Sequence, residues 1–116
     1  MIENRRSPRK SVQQGIEVKD ALTGQPIGYL GNLSADGLLL ITNRQMQDNA
    51  LFQLGFELPN AQGVPHRFEI GVHEQWSEPA NIPGQYWAGF RIIDISPEDR
   101  TALAAWVDAL DVHEIA

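Results

Sequence analysis

In the middle of the chain apolar and polar residues alternate with a period of two. Phe52, Leu54, Phe56 and Leu58 alternate with Gln53, Gly55 and Glu57, and Phe68, Ile70 and Val72 with Arg67, Glu69 and Gly71. Successive side chains of an extended strand point to opposite faces, so this alternation predicts two strands with one buried face each. Ile16 and Val18 in GIEVK repeat it on a shorter segment. PIGYLGNLS and GLLLITN are less regular but rich in aliphatic residues, and YWAGFRIIDI predicts a further strand in which Gly89 marks a bulge or bend. The separators DALTGQP, SADG, PNAQGVP and SEPANIPG supply the Gly, Pro, Asn, Asp and Ser of turns. Six strands at this spacing predict an antiparallel barrel or sandwich; a barrel leaves no exposed sheet edge.

Towards the C-terminus the period changes. In SPEDRTALAAWVDALD, Ser96 is a good N-cap and Pro97 suits the first helical position. Asp99 stands three residues after Ser96, the offset of a reciprocal cap, although Glu or Gln is more usual there. Leu103, Trp106, Val107 and Leu110 then follow at i, i+3, i+4 and i+7, one apolar stripe of an amphipathic helix that packs on the sheet.

A chain of 116 residues with 42% hydrophobic residues is a single domain able to bury a core without covalent staples. It has no cysteine, which removes disulfides, thiolate metal ligands and a cysteine nucleophile. The longest aliphatic run, Leu38 to Ile41, falls far short of the roughly 20 residues of a membrane span. The first residues lack the apolar segment of a secretory signal, so a cytoplasmic protein with no membrane span is expected. Charge alters this plain picture. The formal net charge is -6, yet residues 1–10 carry Arg5, Arg6, Arg9 and Lys10 against one acid, while the rest carries five cations and fourteen acids. Proteins that bind nucleic-acid polymers present a broad basic face, and this acidic body repels a polyanion. A short basic arm on such a body suits a small anion better.

The side chains of enzyme chemistry are not grouped. His66, His73 and His113 do not stand at metal-ligand spacing, and Glu69 and His73, on one strand face, are about 13 Å apart at strand rise. No serine lies in a G-x-S-x-G context. Glu98 and Asp99 sit in a first helical turn, where acids complement the helix dipole. Neither an enzyme, a metal site nor a cofactor is expected.

Two short stretches remain. RRSPR contains R-x-x-x-R as Arg5 and Arg9, with Arg6 between them; NLSADG reads as [D/N]-x-S-x-x-G with Asn32, Ser34 and Gly37. The first precedes the first predicted strand, and the second occupies the turn between the second and third. The two motifs in this order, about 25 residues apart, are followed by WAGFRIIDISPEDRTALAAWVDAL as a closing strand, cap and helix. Together they resemble the PilZ domain family over essentially the whole chain. The resemblance implies an all-β fold with a C-terminal α-helix: a flexible basic arm over residues 1–11, a six-stranded antiparallel PilZ-type β-barrel over 12–95 and an amphipathic helix over 96–111.

The resemblance also implies a ligand, the bacterial second messenger cyclic di-GMP, which carries two guanines and two phosphates. A guanidinium is permanently charged, planar and forked. It can pair with phosphate oxygens or with O6 and N7 of guanine, and can stack on a base. Arg5, Arg6 and Arg9 on one arm can therefore grip both parts of such a ligand. Asn32 offers an amide to a base edge and Ser34 a hydroxyl. By resemblance both face the ligand, while Gly37 shapes the loop through a positive φ or close backbone approach. Trp76, near the end of a predicted strand, stands where the family often carries an aromatic or apolar residue beside the ligand; the alternative is a rim or core tryptophan. Trp87 and Trp106 read as structural. The implied function is a receptor that orders its arm on binding cyclic di-GMP and signals through a protein effector. The alternative is a PilZ-like adaptor that binds no nucleotide and works by protein contact alone.

Overall fold

The computed structural model describes the backbone of residues 10–11 and 15–115 and the side chains of residues 15–109. The elements are β1 (Lys10–Ser11), β2 (Glu17–Asp20), β3 (Pro26–Leu33), β4 (Gly37–Thr42), β5 (Leu51–Pro59), β6 (Pro65–Pro79), β7 (Tyr86–Asp94) and α1 (Pro97–Ile115). All pairings are antiparallel, in the order β3-β2-β5-β6-β7-β4, and a β3–β4 pairing closes the ring into a six-stranded barrel. The two-residue β1 lies on the same edge of β3 as β2, pairing Lys10 with Leu33 and Ser11 with Asn32.

The alternating residues fill the barrel. Leu54, Phe56 and Leu58 from β5 and Phe68, Ile70 and Val72 from β6 are buried, with Phe56 stacked on Phe68. The less regular stretches have a physical reason. On β3 the buried residues are Ile27, Leu30 and Leu33, three apart rather than two. The β3–β2 register shifts at Val18/Lys19, where Ile27 is the extra residue, and the β3–β4 register shifts at Gly31. Each bulge inserts one residue and moves the inward face by one position. On β4, Leu38 and Leu40 point inward, but Leu39 and Ile41 on the outer face are apolar as well, which masks the alternation.

One end of the barrel is covered by α1. Leu103 and Val107 are buried in the core and Trp106 packs against it. Ser96 is the N-cap: its Oγ accepts from Asp99 N–H at 3.1 Å, and its carbonyl accepts from Arg100 N–H at 2.8 Å. The Asp99 carboxylate turns to β6 instead of completing the reciprocal cap. It meets His66 Nε2 at 2.9 Å and accepts from Glu69 N–H at 3.2 Å, which ties the first helical turn to the sheet. The helix runs to Ile115, and the side chain of Leu110 lies outside the described residues.

Residues 43–50 leave β4 at the opposite end. Glu74 holds this segment from inside the barrel: it is buried, its Oε1 accepts from Asn49 N–H at 2.9 Å and its backbone N–H donates to Ala50 O at 2.9 Å. Its Oε2 has no hydrogen-bond partner among the described residues. No helix is long and apolar enough to cross a membrane among the described residues.

Candidate functional site

Two bulges face each other across the outer surface of the barrel. At the first, Leu30 pairs with Leu40 and Asn32 with Leu39, leaving Gly31 as the extra residue on β3. This turns Asn32 outward while Leu33 returns to the core. At the second, Glu74 pairs with Phe90 and Trp76 with Gly89, leaving Gln75 as the extra residue on β6. Glu74 stays inside, whereas Gln75 and Trp76 both emerge. Bulges re-aim side chains in this way beside binding sites. Between them run β4 and β7, and four strands at about 4.8 Å spacing span about 14 Å.

The surface between the bulges is an open groove with a volume of about 570 Å³. Asn32, Asp36, Gly37, Leu39, Gln75, Trp76, Gly89 and Arg91 contribute to its lining. Asn32, Gly37 and Trp76 of the sequence-predicted residues thus meet in one place. Trp76 is on the outer face of the barrel and 45% exposed. It lies near the end of β6, which continues three residues further to Pro79. Gly89 is explained by the same contact. A Cβ at position 89 would stand 2.4 Å from Trp76 Nε1 and 2.5 Å from Cε2, so the indole rests directly on the glycine backbone. The bulge that sequence reading assigned to Gly89 lies on the partner strand, at Gln75. Trp87 also lies on the outer face, 3.3 Å from where a Cβ of Gly31 would stand, and is half-buried.

Ser34 lies beneath the surface of the groove. It is fully buried, and its hydroxyl lies 3.0 Å from Asp36 Oδ1 and 3.2 Å from the Gly37 carbonyl while accepting from Gly37 N–H at 3.2 Å. Its backbone N–H donates to the Gly37 carbonyl at 2.9 Å, and the Asp36 carbonyl accepts from Ile92 N–H at 2.9 Å. The serine therefore holds the 34–37 turn in shape and the turn is pinned to β7. Gly37 is the first residue of β4 and is not among the positive-φ residues. It is buried, and its cross-strand partner is Arg91.

Arg5, Arg6 and Arg9 lie outside the described residues. Arg91 and Gly89 stand in the closing strand that the sequence singled out and Gln75 in no motif; only the cross-strand register brings them to Asn32. Arg91 is the one cation lining the groove among the described residues, and Asp36 the one acid. No group of three His, Cys, Asp or Glu is suited to a metal ion among the described residues.

No curated protein matches this chain in sequence. Solved structures do match its fold. The inhibitor of motility of Bacillus subtilis (MotI/DgrA) superposes with a TM-score of 0.79 at 15% identity, over 97% of this chain and 54% of that one. The Klebsiella pneumoniae MrkH–c-di-GMP complex gives 0.76 at 14% identity, over 97% and 55%. The PilZ domain of Escherichia coli YcgR with c-di-GMP gives 0.68 at 14% identity, over 97% and 95%. The chain thus spans about half the length of the first two and nearly all of the third. At such identities the likeness is one of fold: a closed six-stranded barrel with one C-terminal helix. The model of the PilZ domain matches residues 3–109, from the arginine arm through both bulges and into the helix, and the chain belongs to the PilZ domain family.

Proposed function

We propose that this protein is a receptor for cyclic di-GMP whose ligand lies in the groove between Asn32 and Trp76. The observation that carries the reading is the convergence of separate sequence signals on one edge of the barrel. Ser11 pairs with Asn32 and Lys10 with Leu33, and Arg9 is the residue before Lys10. Consecutive Cα atoms are about 3.8 Å apart, so the R-x-x-x-R segment is tethered at the rim that Asn32 lines. Two of the structural neighbours are described as c-di-GMP complexes, which supports the same ligand class here. The groove volume of about 570 Å³ is within the range of small-molecule sites, about 300–1,000 Å³.

Each group has a physical role in this reading. The exposed indole of Trp76, backed by Gly89, is a platform for a guanine. Asn32 offers its amide to a base edge. Ser34 acts through the turn it holds. Arg5, Arg6 and Arg9 supply the positive charge that the acidic body lacks, pairing with phosphates or with guanine O6 and N7. Ordering the arm costs roughly 1–2 kcal/mol per residue, which several charge-assisted hydrogen bonds at roughly 1.5–3 kcal/mol each offset. The ordered arm then offers a new surface to an effector protein, an order–disorder switch.

Calorimetric titration with cyclic di-GMP, with GMP and GTP as controls, tests the reading. Saturable binding of the cyclic dinucleotide alone is expected. Arg5→Ala and Arg9→Ala should each weaken it by roughly 2–4 kcal/mol with the circular dichroism unchanged. Absence of binding by the intact protein would leave the adaptor that works by protein contact alone.

A further inference from the structure

The three arm arginines carry the cationic half of the PilZ motif, but the barrel itself lines the groove with a further guanidinium. Phe90 points into the core, so its neighbour Arg91 on β7 projects outward and is exposed. On one side its cross-strand partner is Gly37, which has no side chain; two residues back along β7 lies Gly89, covered by Trp76. The guanidinium therefore stands between the 34–37 turn and the indole, with His73 of β6 as its cross-strand neighbour on the other side. Arg91 makes no ion pair among the described residues, whereas Lys19, His66 and Arg67 each have an acidic partner. Asp36, the one acid lining the groove among the described residues, is engaged by the Ser34 hydroxyl.

We propose that Arg91 is a phosphodiester contact built into the barrel itself, one that receives the ligand independently of the arm; the proposal rests on the receptor reading above. A guanidinium presents paired donors that match two phosphate oxygens. Arg91 is fixed to a strand hydrogen-bonded on both sides, so using it orders only a side chain. Its setting beside an exposed indole matches a ligand that alternates bases and phosphates: the base lies on Trp76, and the adjoining phosphate reaches Arg91.

The test is calorimetry on the full chain with cyclic di-GMP at several salt concentrations, for wild type, Arg91→Gln, Arg91→Lys, the double variant Arg5→Ala/Arg9→Ala and the triple variant that adds Arg91→Gln. Arg100→Gln, on the exposed face of α1, is the control. Arg91→Gln should lower affinity about 10- to 100-fold and flatten the salt dependence, since one cation facing a phosphate is removed. Arg91→Lys should fall between, keeping the charge but not the fork. The same loss from Arg91→Gln should recur in the Arg5/Arg9 background. Wild-type affinity in Arg91→Gln overturns the inference and leaves the receptor standing. A loss with unchanged salt dependence assigns the contact to a base and overturns it too. So does a loss that vanishes in the Arg5/Arg9 background, which would make Arg91 a support for the arm. If wild type itself does not bind, the receptor reading fails first.

Discussion

Gly89 and Ser34 shape the groove through packing and hydrogen bonds. An added methyl at position 89 meets the indole at 2.4–2.5 Å, far inside van der Waals contact, while the strand on which it sits is held on both sides. Gly89→Ala should therefore displace Trp76, shift its fluorescence and weaken cyclic di-GMP binding about as much as Trp76→Ala, by roughly 1–2 kcal/mol. An unchanged emission spectrum would count against the platform. Ser34→Ala removes a buried acceptor and donor from the 34–37 turn and should cost roughly 1–3 kcal/mol of stability in urea unfolding. Its effect on binding should follow that loss of turn geometry; a stable Ser34→Ala protein that fails to bind would instead make the hydroxyl a direct contact. The family resemblance named Ser34 as facing the ligand; its burial beneath the groove is visible only in the fold.

The strands were legible where one face is apolar and the other polar, as on β5 and the first half of β6. They were not where the outer face serves the groove or where a bulge shifts the parity. The three-residue spacing of Ile27, Leu30 and Leu33 belongs to a strand with two irregularities, and the exposed Gln75 and Trp76 concealed the continuation of β6 to Pro79. Arg91 escaped notice because its neighbours in space, Gly37 and Trp76, are reached only through register. The helix was read correctly from its cap and stripe, but the partner of Asp99 was not, since His66 is 33 residues away. That carboxylate links α1 to the sheet through two bonds, so Asp99→Ala should destabilise the fold by roughly 2–3 kcal/mol. Asp99→Asn, which keeps an acceptor, should cost less. Chemical denaturation of the three proteins gives the comparison, and equal stability of all three would remove the tie from the account of helix docking.

The molecule as a whole is a barrel that closes on itself, with β1 paired on one edge of β3. With every strand of the ring paired, ligand should change the barrel little. In hydrogen exchange, cyclic di-GMP should slow the amides of residues 3–9 more than any in β5, whose amides should be protected with or without ligand. Equal protection of residues 3–9 in both states would remove the switch while leaving the binding. The ring also has two seams where the β2–β4 half of the chain meets the β5–β7 half. The β2–β5 seam has two residue pairs and the β4–β7 seam has six. The groove lies across the second, with Asn32 and Gly37 on one bank and Trp76 and Arg91 on the other. A molecule seated there is a bolt through the joint: the halves cannot part without breaking its contacts to one bank. Ligand would then slow unfolding as well as shift its equilibrium, and the protein would resist proteolysis longest with that molecule bound.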